Sequence, residues 1–221
     1  MLPLQIEVLP FRLQRPTDRY WLLYADVMRW RTMSDAQILA ELRDFARHGF
    51  NGLVEMPLGS ADLSEIRSGK VRFDASAYLR LATLCKEAGL PGPHVCSFGG
   101  MPAAVRDALG LKCDLEKDVW PEALKEGVAA VARAAVEATR DAPAAWHFYG
   151  VDEPGADNTY AVQEYECWRR GGALTYATSG DLRFFERAAA DYLTAPCFVS
   201  GLVSSAASAR IAREGSARRK A

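Results

Sequence analysis

Three segments of this chain repeat one pattern. ARHGFNGLVE (46–55), KEAGLPGPHV (86–95) and RRGGALTYAT (169–178) each pass from a basic residue through a glycine stop into an apolar strand. Gly49 and Gly89 are 40 residues apart, and Gly171 lies 82 further on, close to twice that spacing. Glycine ends helices because it enters the left-handed conformation at no steric cost. A recurring helix–stop–strand unit therefore predicts strands alternating with helices. Such strands pair in parallel, because each helix supplies the crossover that a parallel pair needs.

Hydrophobic spacing fills in the units between the joints. YWLLYADVMRW (20–30) reads as a strand leading into a loop, and Ser34 and Asp35 give the cap signals of a helix ending at Gly49. FNGLVEMP (50–57) is a buried strand stopped by Pro57, and Asp74 precedes a second helix that closes at Gly89. The third strand is PGPHVCSF (91–98), followed by a Gly-rich loop, and an Ala-rich helix runs from Asp118 to about Arg140. AAWHFYGVDEP (144–154) is the fourth strand, Tyr160 to Arg170 a helix, and ALTYATS (173–179) the fifth strand. Asp181 to Ala190 reads as helix, YLTAPCFVS (192–200) as a sixth strand, and Ser204 to Arg219 as a last helical stretch.

Two α/β architectures satisfy this order: a (β/α)8 TIM-barrel-like fold, or an open parallel α/β sheet. No GxGxxG follows the first strand and no GxxxxGK[ST] occurs, which weakens the nucleotide-binding open sheet. A barrel of about 250 residues has eight units of ~30, so six longer units leave the barrel about two units short. The expected organisation is one barrel domain over residues 1–203, followed by a basic helical or frayed tail over 204–221.

Composition removes other classes. A hydrophobic share of 49% with a net charge of −1 excludes intrinsic disorder. From Arg210 onward there are five basic groups and one acidic, so the rest of the chain carries about −5. No nucleic-acid motif accompanies that tail, and no apolar run approaches the ~20 residues of a membrane span. The five cysteines form no CxxC pair, and no HxH or HExxH is present, so neither a disulfide framework nor a metal site is expected. Without a basic-then-apolar leader the default expectation is a cytoplasmic protein, or an extracytoplasmic one if a precursor segment precedes it.

In either architecture ligands meet the C-terminal ends of the strands. The polar residues there are Asp26, Glu55, His94 and Ser97, then Tyr149, Asp152 and Glu153, then Tyr176 and Thr178. The fourth strand is the richest, with two adjacent carboxylates after WHFYG and Pro154 as the stop. Adjacent carboxylates disfavour joint ionisation, and an aromatic surround pushes the same way. A carboxylic acid kept protonated is what general-acid catalysis needs. The plainer reading is that DEPG only leaves the strand and caps the next helix. Asp26 and Glu55 serve equally well as loop anchors, and His94 as a core histidine with one hydrogen bond.

YGVDEPG at this place resembles the Asp-Glu-Pro signature of barrel glycoside hydrolases, the family 123-like group above all. ELRDFARHGFNGLVEMP is similar to that group's first helix and second strand, and the order of elements matches from about Tyr20 to Ser179. The resemblance implies hydrolysis of a glycosidic bond by substrate assistance. Asp152 would orient the sugar's 2-acetamido group, whose carbonyl oxygen attacks the anomeric carbon, and Glu153 would be the acid and later the base. Tyr149, Glu55, Asp26, His94 and Tyr176 are the candidates for substrate binding. A carbohydrate is the implied partner; no cofactor, nucleic acid or membrane is. Retaining barrel glycosidases with Asn-Glu-Pro at this position are a second comparison, and Asp152 in place of that Asn favours the substrate-assisted form. A non-catalytic carbohydrate-binding barrel or truncated pseudoenzyme is the alternative.

Overall fold

Ser34 begins the first long helix as its neighbours dictate. Its hydroxyl accepts from the Gln37 amide while the Gln37 side chain accepts from the Ser34 amide, a reciprocal capping box. The structure, a computed structural model, describes residues 20–179, 181, 183–184 and 192–194, the last three through their backbone. The expected stops and starts recur along it. Helix α2 spans Asp35–Arg47, and α3 spans Ser76–Ala88 and ends at Gly89, which takes φ 90°. Helix α5 spans Glu122–Ala138, and α6 spans Thr159–Arg170.

Strands β1 (Leu22–Tyr24), β2 (Gly52–Val54), β3 (Met56–Pro57), β6 (His94–Ser97), β7 (Trp146–Tyr149), β8 (Thr175–Thr178) and β9 (Tyr192–Thr194) carry the parallel pairing. The order is β1–β2, then β3–β6–β7–β8–β9. The two groups join through the Gly92 amide, which donates to the Asn51 carbonyl at 2.8 Å. Spatial order thus follows chain order throughout, and the protein is an α/β fold of parallel strands and helices. Register sets Met56 opposite Cys96 opposite Phe148, so the C-terminal strand ends lie along one rim.

Several expectations need correcting. The strand over 50–57 is two pieces, because Glu55 takes φ 67° and breaks the pairing between β2 and β3. The stretch before α3 holds an antiparallel hairpin, β4 (Ser60–Asp62) with β5 (Arg72–Asp74), tied by the Arg72–Asp62 ion pair at 2.6 Å. Four residues after β1 form a short helix, α1 (Val27–Trp30), rather than a loop. The Gly-rich loop after β6 likewise continues into helix α4 (Met101–Leu109), whose first turn accommodates Pro102. Gly99 and Gly100 conceal that start, since Gly100 caps α4 without a side-chain acceptor. The expected strand over 192–200 is described only as β9, and both the expected helix over 204–219 and the 203/204 boundary lie outside the described residues.

One large core lies between the sheet and its helices. Leu53, Cys96, Phe148 and Ala177 from the strands meet Ile38 and Leu42 of α2, Tyr78 and Cys85 of α3, Val128 of α5 and Trp168 of α6. The opposite sheet face carries a smaller buried group of Val54, Val95, Tyr149 and Tyr176, with Leu22 against it. Where α6 ends on α5 the contact leaves no room for a side chain. A Cβ on Gly171 would stand 2.3 Å from the Ala132 methyl and 2.7 Å from the Ala129 carbonyl oxygen. Alanine suits this backbone (φ −75°) and would gain about 0.4–1 kcal/mol through the unfolded chain. The obstruction includes helix backbone, which cannot turn aside, so the packing cost decides the sign. Gly171→Ala is expected to lower stability by about 1–3 kcal/mol, read as a lower urea midpoint at unchanged slope.

Candidate functional site

Strand alternation decides what β7 offers. Trp146 and Phe148 point to the helices: Phe148 stacks on Trp168 at 4.1 Å and 11°, and the Trp146 indole donates to the Thr139 hydroxyl at 2.7 Å. Tyr149 therefore faces the other way, edge-on to Tyr176 at 5.4 Å beside Val54 and Val95. The aromatic envelope expected around the two carboxylates is consequently absent. Trp146 and Phe148 lie on the far side of the sheet, and both Asp152 and Glu153 are exposed.

The exit of β8 holds the exit of β7. The Tyr149 hydroxyl donates to Asp152 Oδ1, and the Thr178 hydroxyl donates to the same oxygen at 3.0 Å. Thr178 also accepts from the Glu153 amide at 3.1 Å, and Ser179 donates to the Pro154 carbonyl at 2.6 Å. Asp181 accepts from the Ala156 amide at 3.0 Å. One Asp152 oxygen is thus fixed by two hydroxyls, while its other oxygen has no partner among the described residues. Burial, then the Asp152 hydrogen bond, holds the Tyr149 phenol well above its ordinary value, so it stays a donor.

Backbone strain marks two positions. Among the described residues only Glu55 (φ 67°) and Glu153 (φ 45°) are non-glycine residues with positive φ. This region costs an L-residue about 1–2 kcal/mol, and such costs gather where function requires a particular presentation. Glu55 directly follows β2, and Glu153 lies four residues beyond the end of β7.

Of the predicted site residues, the structure gathers Tyr149, Asp152, Glu153 and Tyr176. Glu55 stands on the rim at the β2–β3 break. Asp26 caps α1, accepting from the Arg29 amide at 3.1 Å, and so anchors a loop. His94 is the first residue of β6, at the opposite end from the rim. Its ring lies 6.5 Å from Tyr78 on the helix side, and Nδ1 accepts from the Leu53 amide at 3.2 Å. Burial depresses its pKa to about 4, so it is a neutral core histidine, away from the substrate side.

Two residues were not foreseen. Tyr24 ends β1 on the Tyr149 side of the sheet, near enough to raise the Tyr149 phenol further, and 57% of its surface is exposed. The alternation Leu22–Tyr24 signals that placement. Glu164 of α6 is only 3% exposed, and burial raises its carboxyl to about 8. Its helical neighbours Ala161 and Trp168, three before and four after, are both buried, which puts Glu164 on the apolar stripe.

Among the described residues no cluster of His, Cys, Asp and Glu could hold a metal ion, and no helix is long and apolar enough to cross a membrane. Fold and site define a parallel α/β protein with Asp152 and the strained Glu153 at the exit of β7. No family model, curated protein or solved structure matches the chain.

Proposed function

We propose that this protein is a (β/α)8-type barrel acting as a glycoside hydrolase on N-acetylhexosaminides through Asp152 and Glu153. Support for the barrel begins with strand order, which follows chain order where a doubly wound sheet would reverse it. Curvature points the same way. Tyr24 on β1 reaches Tyr149 on β7 across the strands between them. In a flat sheet three spacings of ~4.8 Å would hold those positions about 14 Å apart, with side chains standing perpendicular.

The observation that carries the chemistry is the strained Glu153 beside an Asp152 whose one oxygen two hydroxyls fix. The free Asp152 oxygen accepts the acetamido N–H and turns that group's carbonyl oxygen towards the anomeric carbon. As the new C–O bond forms, the glycosidic C–O bond breaks and Glu153 protonates the departing oxygen. Glu153 then takes a proton from water, which opens the cyclic intermediate and restores the acid. Substrate assistance replaces the second, separated carboxylate of ordinary glycosidases. The exposed Tyr24 ring, beside Tyr149, offers an apolar face to a sugar ring.

The test compares aryl N-acetylhexosaminides with their unacetylated analogues. Turnover of the acetylated sugar is expected to exceed the other by at least about a hundredfold, within the range of positioned general-acid effects. Equal rates would remove the role of Asp152. Binding of both sugars without turnover would make the protein a carbohydrate-binding barrel.

A further inference from the structure

Behind the β7 exit lies a carboxyl group that the reaction above does not use. Glu164 packs directly on the backbone of Gly150, so closely that a Cβ there would come within 2.5 Å of Glu164 Oε2. The neighbouring Tyr165 continues the same contact. Its hydroxyl accepts from the Gly150 amide at 3.2 Å and donates to the Tyr176 carbonyl at 2.8 Å. Two consecutive residues of α6 thus cradle the point where β7 turns into Val151, Asp152 and Glu153. A glycine is needed at 150 because the carboxyl occupies the space a side chain would fill.

We infer that protonated Glu164 is a positioning residue for the Asp152–Glu153 exit, and that its ionisation displaces that exit. The hydrolytic part of this inference rests on the glycosidase reading; the displacement does not. Within α6, the Tyr160 hydroxyl lies 3.5 Å from Oε1, and Tyr165 and Cys167 both feel the Glu164 charge. From the loop before α5, Glu116 adds a second negative charge. Among the described residues no cation acts on it. A charge formed at this position is therefore buried beside the Tyr160 hydroxyl and the Gly150 backbone, with the charge of the exposed Glu116 opposing it. Relief comes from moving the carboxylate, and the Gly150 backbone packs against its Oε2, so a movement of one is felt by the other.

Carbon-detected NMR on the whole chain tests this, since carbonyl carbons do not exchange. In the wild type the Glu164 carboxyl carbon and the Gly150 and Asp152 carbonyl carbons are expected to titrate together, with a midpoint near 8. Glu164→Gln, of nearly the same shape and uncharged, is expected to abolish the movement at Gly150 and Asp152. Tyr160→Phe removes a hydrogen bond that favours the charged form, so all three midpoints are expected to rise. A wild-type Gly150 resonance flat across this range overturns the inference without any variant, as does a midpoint that persists unchanged in Glu164→Gln. Where turnover is measurable, kcat should fall above pH 8 in the wild type and not in Glu164→Gln, with KM alike. Absence of turnover counts against the glycosidase reading alone, because the carbonyl titration is read without substrate.

Discussion

Glu153→Gln is expected to lower hydrolysis of an aryl N-acetylhexosaminide by about 10²–10⁴-fold while leaving stability unchanged. The residue is exposed, and among the described residues it is held by its backbone amide, which donates to Thr178 and which glutamine keeps. An amide cannot deliver a proton to the departing oxygen, so the loss should follow how much that oxygen needs one. With a nitrophenolate leaving group, already a stable anion, the deficit should shrink; with an alkyl glycoside it should grow. Equal losses across that series would deny Glu153 the role of acid, even if activity fell. The same logic separates Asp152, whose replacement by Asn should cost activity regardless of the leaving group. Tyr149 and Thr178 both donate to Asp152, so an amide there turns one acceptor oxygen into a competing donor group.

How far the sequence foretold this arrangement depends on the kind of signal. The glycine joints and helical spacing reported the order of units, because each stop and each apolar stripe is a local property. Helices α2, α3, α5 and α6 accordingly fall close to their expected limits. Helix α4 was hidden because two glycines precede it and no side chain caps it. The Glu55 break was equally hidden, since nothing in GLVEMP distinguishes a continuous strand from one interrupted at a left-handed residue. Asp152 and Glu153 were legible as a motif, yet their surroundings were not. Which face of β7 meets the helices depends on Trp168, twenty residues further along the chain. Of the two readings open for His94 the core histidine holds, because β6 begins at that residue and leaves it at the end of the strand away from the rim. Glu164 is a different case. Its spacing from Ala161 and Trp168 marks it as buried, although it lies on a helix and not at a strand end.

Glu164 and His94 together set an expected pH profile of stability, and their signs oppose. Burial holds Glu164 at about 8, against 4.5 ordinarily, so between those values the folded state keeps a proton that the unfolded chain has released. Its contribution is complete below pH 4.5 and is lost as pH rises through 8. His94 titrates at about 4 in the fold, against 6.5 when unfolded, so there the unfolded chain binds the extra proton. That contribution is present above pH 6.5 and is lost as pH falls through 4. Each difference is worth ~1.4 kcal/mol per pH unit. Between pH 4.5 and 6.5 the two slopes cancel and stability is level; from 6.5 to 8 only Glu164 acts, and stability should fall by about 2 kcal/mol. Carboxylates held low at the surface, such as Asp62 beside Arg72, titrate below this window. In Glu164→Gln the fall above pH 6.5 should disappear, leaving a rise of roughly 3 kcal/mol between pH 4 and 6.5 from His94. Urea midpoints at pH 5, 6.5 and 8 for both proteins read the difference directly. A wild type level from 6.5 to 8 would mean that Glu164 is ionised in the fold, and a variant that still falls there would assign the fall to another group. With Glu164 ionised, the exit that presents Asp152 and Glu153 would be held by Tyr149, Tyr165, Thr178, Ser179 and Asp181 without the Glu164 proton.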